Sequence, residues 1–324
     1  MARANAAYYA TRDPFGDFTT SPEITQAFGE VLGAWAAVCW QLLGCPDPVI
    51  LAEAGPGRGT LMADAVRAIR RVAPDFHAAL SIHLIETSPR LRAIQAVALP
   101  DDVAFWHDSL ETLPDGPLLL LANEFLDALP IRQFIRRDDR WTERFVQDGG
   151  FVEQTAESSD HLAAGRPAIE SGELIETCEA ACAIATQLAT RFARQPGMAL
   201  FLDYGPAESA AGDSLQALRD GKPANPLDEP GSADLTAHVD FAALARAAQA
   251  AGAAALGPLA QGLLLARLGL FQRTDRLARF LPAAKASGLI ESARRLAEPD
   301  RMGRLFKALA VCHPCCPVPP GFEP

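Results

Sequence analysis

The chain lacks a basic surplus. Its 324 residues carry 29 Lys and Arg against 40 Asp and Glu, a net charge of −11. Phosphate backbones need a basic surface, which argues against nucleic acid as the main partner. An acidic protein instead attracts a basic peptide or an arginine-bearing segment. No apolar run approaches the roughly 18 residues of a membrane span. The start, Met1 to Tyr8, has no apolar h-region and is too weakly basic for a transit peptide, so a cytoplasmic location is expected. Cys312-His313-Pro314-Cys315-Cys316 lacks the second ligand pair that a zinc site needs, and no metal is expected. The cysteines number seven, an odd count, and Cys39, Cys45, Cys178 and Cys182 read as reduced thiols. Tandem repeats and long low-complexity runs are also missing, and no clear linker halves the chain. The expected organisation is a helical N-terminal segment, 1–47, followed by an α/β domain over 48–324 with insertions at about 131–160 and 206–235.

What is present begins with Val49-Ile50-Leu51-Ala52-Glu53-Ala54-Gly55-Pro56-Gly57-Arg58-Gly59-Thr60. An apolar run ends in an acid, three glycines follow on alternate positions, and a helical pattern begins. This is the strand, glycine turn and helix that open a doubly wound sheet. The dinucleotide fingerprint G-x-G-x-x-G would need glycine at position 60, where Thr60 stands. Glu53 at the strand tip would repel a pyrophosphate, yet it suits a ligand bearing an ammonium and a sulfonium. The pattern therefore favours S-adenosylmethionine over NAD, with Glu53, Gly55, Gly57 and Gly59 around it.

The next units supply further acids at strand ends. Ser81–Ile85 reads as a buried strand, and Glu86 follows, placed to accept from two ribose hydroxyls. Ser88-Pro89 then starts a helix as N-cap and first helical residue. Glu86 lies 27 residues after Gly59, beyond the usual interval of about 20. A longer first crossover accounts for this, with a helix marked by Leu61, Ala65, Ile69 and Val72 and a loop at Pro74–Phe76. Val103–Trp106 is strand-like and leads to Asp108, which reads equally as an acceptor for the adenine amino group and as a turn acid. Pro117–Leu121 is a continuous apolar run suited to a central parallel strand. It empties into Asn123-Glu124-Phe125-Leu126-Asp127, where polar groups face the ligand crevice. Asn123, Glu124 and Asp127 are thus candidates for contacting the reacting substrate.

Elsewhere, Thr20-Ser21-Pro22-Glu23 fits a capping box that opens a helix through Ile24, Phe28, Val31 and Trp35. Residues 131–160 alternate in polarity, which suggests an inserted hairpin. Residues 171–194 form an alanine-rich helix. Met198–Leu202 is the fifth parallel strand, leading to Asp203-Tyr204-Gly205, and 206–235 is a long loop on the ligand side. Phe241–Ala251 is a helix. Residues 253–259 and 304–311 supply a final antiparallel pair with helices between them.

Taken in order, Tyr8–Gly16, Asp17–Glu23, Phe28–Glu30, Glu53–Thr60, Asn123–Pro130, Asp203–Gly205, Gly212–Ala217, Asp234–Phe241, Gly257–Gly262 and Met302–Lys307 resemble the MidA-like S-adenosylmethionine methyltransferases. The mitochondrial members of that family are respiratory complex I assembly factors that methylate arginine. The sequence departs from the family where two elements run together at Phe15-Gly16-Asp17. The resemblance implies a Rossmann-like class I methyltransferase fold, a mostly parallel sheet with a terminal antiparallel strand. It also implies methyl transfer from S-adenosylmethionine, leaving S-adenosylhomocysteine, to an arginine of a protein substrate, a complex I subunit. Guanidinium is protonated in water and repels the sulfonium, so carboxylates must orient it and take up its proton. Glu124 and Asp127 are placed for this. His238 and Asp240 close the site from the long loop, or His238 caps the following helix; Tyr204 lines the pocket or packs. Two rivals stand beside this reading: a non-catalytic chaperone that binds the cofactor, and a small-molecule methyltransferase, whose pocket would be apolar rather than acidic.

Overall fold

The computed structural model describes residues 1–12, 19–99, 104–157, 162 and 165–323. The run-together element at Phe15–Asp17 lies outside the described residues. The N-terminal segment holds α1 (Ala2–Thr11), α2 (Ser21–Ile24) and α3 (Gln26–Leu42). The expected single helix from Thr20 is broken, because Thr25 is extended at φ −161°. Its hydroxyl accepts the Ala27 N–H and caps α3, a contact worth about 1 kcal/mol. Thr20 makes no side-chain cap, and Glu23 points elsewhere. The expected apolar stripe of Phe28, Val31 and Trp35 is buried. Gly33 lets α3 touch the next helix, since a Cβ there would lie 2.6 Å from the Ala65 carbonyl oxygen.

The doubly wound unit follows: β1 (Val49–Ala54), α4 (Thr60–Val72), α5 (Pro74–Ala79), β2 (Leu80–Ile85), α6 (Pro89–Ala98), β3 (Ala104–His107) and β4 (Leu118–Asn123). The stretch expected as a loop at 74–76 is the start of α5, with proline at its first turn. The chain steps outward from β1 to β2 to β3, all parallel, then returns to place β4 on the other side of β1. That reversal opens a crevice at the carboxyl ends of β1 and β4. Alternate residues of β1 feed two cores: Val49 and Leu51 on one face, Ile50, Ala52 and Ala54 on the other. Both faces are covered, which is why the strand reads as one apolar run.

The expected hairpin is larger than its local pattern. β5 (Arg132–Arg137), β6 (Arg140–Gln147) and β7 (Gly150–Thr155) form an antiparallel meander. β8 (Leu174–Thr177) then pairs with β5 to complete a four-stranded sheet. The alanine-rich helix therefore starts later than expected, as α7 (Glu179–Phe192). Ile175 is drawn into a small core with Phe134, Trp141 and Leu162.

β9 (Gly197–Tyr204) joins β4 in parallel. The expected long loop carries three short antiparallel strands, β10 (Gln216–Arg219), β11 (Lys222–Ala224) and β12 (Asp234–Thr236). The chain ends with α8 (Phe241–Ala250), β13 (Ala254–Ala260), α9 (Gln261–Arg267), α10 (Leu270–Ala278), α11 (Ala283–Ala297), α12 (Met302–Leu305) and β14 (Phe306–Cys312). The main sheet runs β13-β14-β9-β4-β1-β2-β3, with β14 antiparallel to both neighbours. Among the described residues no helix is long and apolar enough to cross a membrane.

Candidate active site

The chain leaves β1 through Gly55-Pro56-Gly57-Arg58-Gly59, with φ of +65°, +54° and +81° at the three glycines. This left-handed backbone strains any side-chain-bearing residue. At Gly55 a Cβ would also sit 2.8 Å from the Phe125 ring, so the turn packs against the loop after β4. Beside it lies a cavity of about 710 Å³, bounded by the ends of β1, β2 and β4, the turn after β3, and one side of α1. Of the ten expected site residues, Glu53, Gly55, Gly57, Glu86, Asp108, Asn123 and Glu124 line it.

Their surroundings differ. Glu53 is 3% exposed, and its Oε2 has no hydrogen-bond partner. Burial pushes its carboxyl up to about 8, against a lowering contribution from the Met62 N–H. Glu86 accepts from the Ser88 N–H at 2.8 Å and from Gln95 Nε2 at 3.3 Å, and burial raises its pKa above the ordinary range. Asp108 is largely exposed and pairs with Arg92 at 2.6 Å, while Ser109, not Asp108, is the cap residue of the short turn that follows. Asn123 donates to Glu124 Oε1 at 3.0 Å, and its own Oδ1 is buried without a partner.

Glu124 is half-buried and has φ +49°, a left-handed conformation for a residue with a side chain. Such strain costs on the order of 1–3 kcal/mol and persists only where neighbours hold it. Here the Glu124 N–H donates to the Leu202 carbonyl at 2.8 Å, and its carboxylate accepts the Ser21 N–H at 2.8 Å. Burial raises its pKa, opposed chiefly by that Ser21 bond.

Three expected residues do not line this cavity. Gly59 is the N-cap of α4 and packs against Ala98 and Gln95. Asp127 is buried behind Glu124, hydrogen-bonded to Tyr204, and raised well above the ordinary carboxyl range by burial and then by Asp203. His238 is exposed and lines two other cavities. Its N–H donates to Ser214 Oγ at 2.8 Å, and its ring meets Tyr204 edge-on at 5.6 Å. The helix cap it was one candidate for is Asp240, whose Oδ1 accepts the Ala243 N–H at 2.8 Å. Asp240 also pairs with Arg166 at 3.2 Å.

Other residues complete the site without having been singled out from the sequence. Asp203 Oδ2 accepts three successive N–H groups, from Phe125, Leu126 and Asp127 at 3.2, 2.9 and 3.2 Å, and so shapes the loop after β4. Gln95, fully buried, links the Gly57 carbonyl to Glu86. Its sequence signal is a polar residue four after Leu91, on the inner stripe of α6. Glu23 bonds the Thr60 hydroxyl and lines the cavity. From α1, Asn5 and Tyr9 form one wall. Among the described residues no cluster of three or more His, Cys, Asp or Glu could hold a metal ion.

A doubly wound sheet, a three-glycine turn at its reversal point and a buried carboxylate with one free oxygen at the first strand tip define the class of S-adenosylmethionine-dependent methyltransferases. The chain belongs to the family described as "Putative S-adenosyl-L-methionine-dependent methyltransferase", which matches residues 31–259, and its cofactor is S-adenosylmethionine. Among curated relatives, the mitochondrial protein arginine methyltransferase NDUFAF7 homolog of Drosophila melanogaster is 36% identical over 352 residues, 96% of this chain and 79% of that protein. The human protein arginine methyltransferase NDUFAF7 is 33% identical, covering 94% of this chain and 76% of its own length. A Burkholderia thailandensis crystal structure with S-adenosyl-homocysteine bound shares the fold, with a TM-score of 0.74, 24% identity, and coverage of 95% of this chain and 80% of that one. A native Burkholderia thailandensis structure gives a TM-score of 0.77 at 24% identity over 99% and 88%.

The relatives correct one expectation. The cytoplasmic location rested on a missing apolar leader and a weakly basic start, whereas both the fly and human proteins are mitochondrial. Mitochondrial import reads an amphipathic signal rather than an apolar one, so the h-region criterion does not bear on it.

Proposed function

We propose that this chain methylates an arginine side chain of a protein substrate, a respiratory complex I subunit being the target that the family resemblance suggests. The observation that carries this reading is a pair of carboxylates, Glu124 and Asp127, that are held at the carboxyl end of β4 and form no ion pair among the described residues. Both are pushed toward the neutral form by burial, and a guanidinium bound against Glu124, the one of the two that lines the cavity, would oppose that push. An apolar small-molecule pocket would give such groups no partner. The names of the fly and human relatives point to the same acceptor.

Each residue then has a role. Glu53, whose Oε2 lacks a partner, takes the ammonium of S-adenosylmethionine. Glu86 takes the ribose hydroxyls, with Gln95 holding it against the glycine turn. Gly55, Gly57 and Gly59 keep the backbone close, and Asn123 and Asp108 bound the cavity at the ends of β4 and β3. S-adenosylmethionine supplies an electrophilic methyl group, so alignment of the acceptor nitrogen dominates the rate. Glu124 orients the guanidinium and accepts its proton. Asp127 sets the charge behind it, and Asp203 fixes the backbone that carries both. His238, in a neighbouring cavity, acts outside this step.

The test uses methyl-labelled cofactor with arginine peptides or a complex I preparation, and mass spectrometry to locate the label. Label on arginine is expected. Glu124→Gln should slow turnover by on the order of 100-fold while calorimetry reads an unchanged affinity for S-adenosylhomocysteine. Label on a small molecule, or full turnover by the variant, would overturn the reading.

A further inference from the structure

The reaction as proposed above makes no use of the segment Met302–Lys307. Its last residues open β14, which pairs with β9 so that Phe306 faces Tyr204 and Lys307 faces Asp203. Arg304, Leu305 and Lys307 border a second cavity of about 560 Å³, with Pro130 lining the first cavity and its neighbour Ile131 the second. Tyr204 lines neither cavity but touches His238 of the second. Its hydroxyl side meets Asp127, and its ring contacts His238 and Phe306 at 5.6 and 5.4 Å.

The charges in the second cavity are unevenly matched. Glu176 accepts from Gln133 and from Ser214, and Asp240 accepts from Arg166, Ser209 and the Ala243 N–H. Arg301 pairs with Glu291 and Glu298, and Asp300 faces it. Arg304 and Lys307 differ. Lys307 Nζ donates to two backbone carbonyls, those of Arg304 and Leu305, and neither cation has a carboxylate partner among the described residues. The two also repel each other: burial, and then the Arg304 charge, lower the Lys307 pKa. Two like charges at one cavity wall, Lys307 half-buried and Arg304 exposed, with donors to spare, are stabilised by an anion.

We infer that Arg304 and Lys307 form a subsite for a carboxylate of the substrate polypeptide, supplied by an acidic side chain a few residues from the target arginine. This rests on the reading of Glu124 and Asp127 as the arginine site. The spacing follows from the sheet. Lys307 is one cross-strand step from Asp203, about 5 Å between Cα atoms, and Asp203 directly holds the Phe125–Asp127 backbone. An extended peptide advances about 3.3 Å per residue, so the acid belongs roughly two to four residues from the arginine. The flanking Glu176 and Asp240 disfavour a polyanion such as nucleic acid, and they leave room for a single carboxylate.

The experiment uses fluorescent peptides, acetylated and amidated at their ends, each with one central arginine and a glutamate two, three or four residues to either side. Matched peptides carry glutamine instead, and one Gln peptide has a free C-terminal carboxylate. Binding is read by anisotropy with S-adenosylhomocysteine present, and methylation by label transfer. At one or more spacings Glu should bind roughly tenfold more tightly than Gln, the scale of one charge-assisted hydrogen bond, and high salt should erode the difference. Arg304→Gln with Lys307→Met should erase the preference and leave S-adenosylhomocysteine affinity and melting temperature unchanged. Tighter binding of the free-carboxylate peptide alone would assign the subsite to a chain terminus. Equal binding of Glu and Gln peptides to the wild type, or a preference that survives the double variant, overturns the subsite. Preference without arginine methylation would sink the arginine reading and leave the subsite standing; methylation without preference does the reverse.

Discussion

Glu53 is a cavity residue whose protonation burial controls. Its pKa stands at about 8 in the folded chain against an ordinary 4.5, so the native state holds a proton that the unfolded chain releases. Stability from this group is complete below the ordinary value and is lost as pH rises through about 8. Cofactor binding has the opposite sign, because an ammonium pairs only with the ionised carboxylate. Below about pH 8, S-adenosylhomocysteine affinity should therefore climb with pH, by up to about tenfold per unit. Calorimetry in buffers of different ionisation enthalpy should count about one proton released. Glu53→Gln should flatten the profile, and a flat wild-type profile would remove Glu53 from the ammonium. Glu53, Glu86 and Asn123-Glu124 were legible in the sequence for one reason: each ends an apolar run, and such runs are parallel strands whose tips face the crevice. Asp127 looked just as available, three residues further along. Its inward turn depends on Asp203, 76 residues away, gathering three N–H groups, and no local pattern carries that.

At the scale of elements, α1 is held by a few specific bonds. A helix of 10 residues is marginal alone. It is tied down by Asn5, which donates to the carbonyls of Ala128 and Leu235 at 2.9 and 2.8 Å and accepts the Leu235 N–H at 3.2 Å. Tyr9 adds a bond to Asp234 at 2.8 Å. Because Asn5 and Tyr9 also wall the cofactor cavity, the helix covers what it is tied over. Asn5→Ala should speed S-adenosylhomocysteine release by roughly tenfold in stopped-flow, as expected for losing one or two net hydrogen bonds, with little change in melting temperature. An unchanged release rate would mean that α1 does not gate the cavity. The parallel strands and the helices between them were readable from periodicity. The four-stranded sheet was not, because β5 pairs with β8 across a gap of some forty residues, and a hairpin was all its local alternation described. The helix expected from Thr20 does open there, as α2, but without the capping-box bonds, because Glu23 is used by Thr60, and it breaks at the extended Thr25.

For the whole molecule, the position of β14 matters most. It lies inside the main sheet, between β9 and β13, and its residues Ala308 and Cys312 fill one core while Leu309 and Val311 fill the other. Leu309→Ala should cost about 2–5 kcal/mol, read as a lower denaturant midpoint at unchanged slope. A loss under about 1 kcal/mol would mean that the second core does not depend on this strand.

The same placement dictates an order of events during synthesis. A chain leaves the ribosome from its N-terminus, at roughly 5–20 residues per second. When β9 and β13 have both emerged, the strand that joins them has not. Each then offers an unpaired edge, the kind of surface that recruits other chains. The nascent protein thus keeps two open edges until β14 follows, and a holding chaperone is of most use in the interval before Cys312 is released.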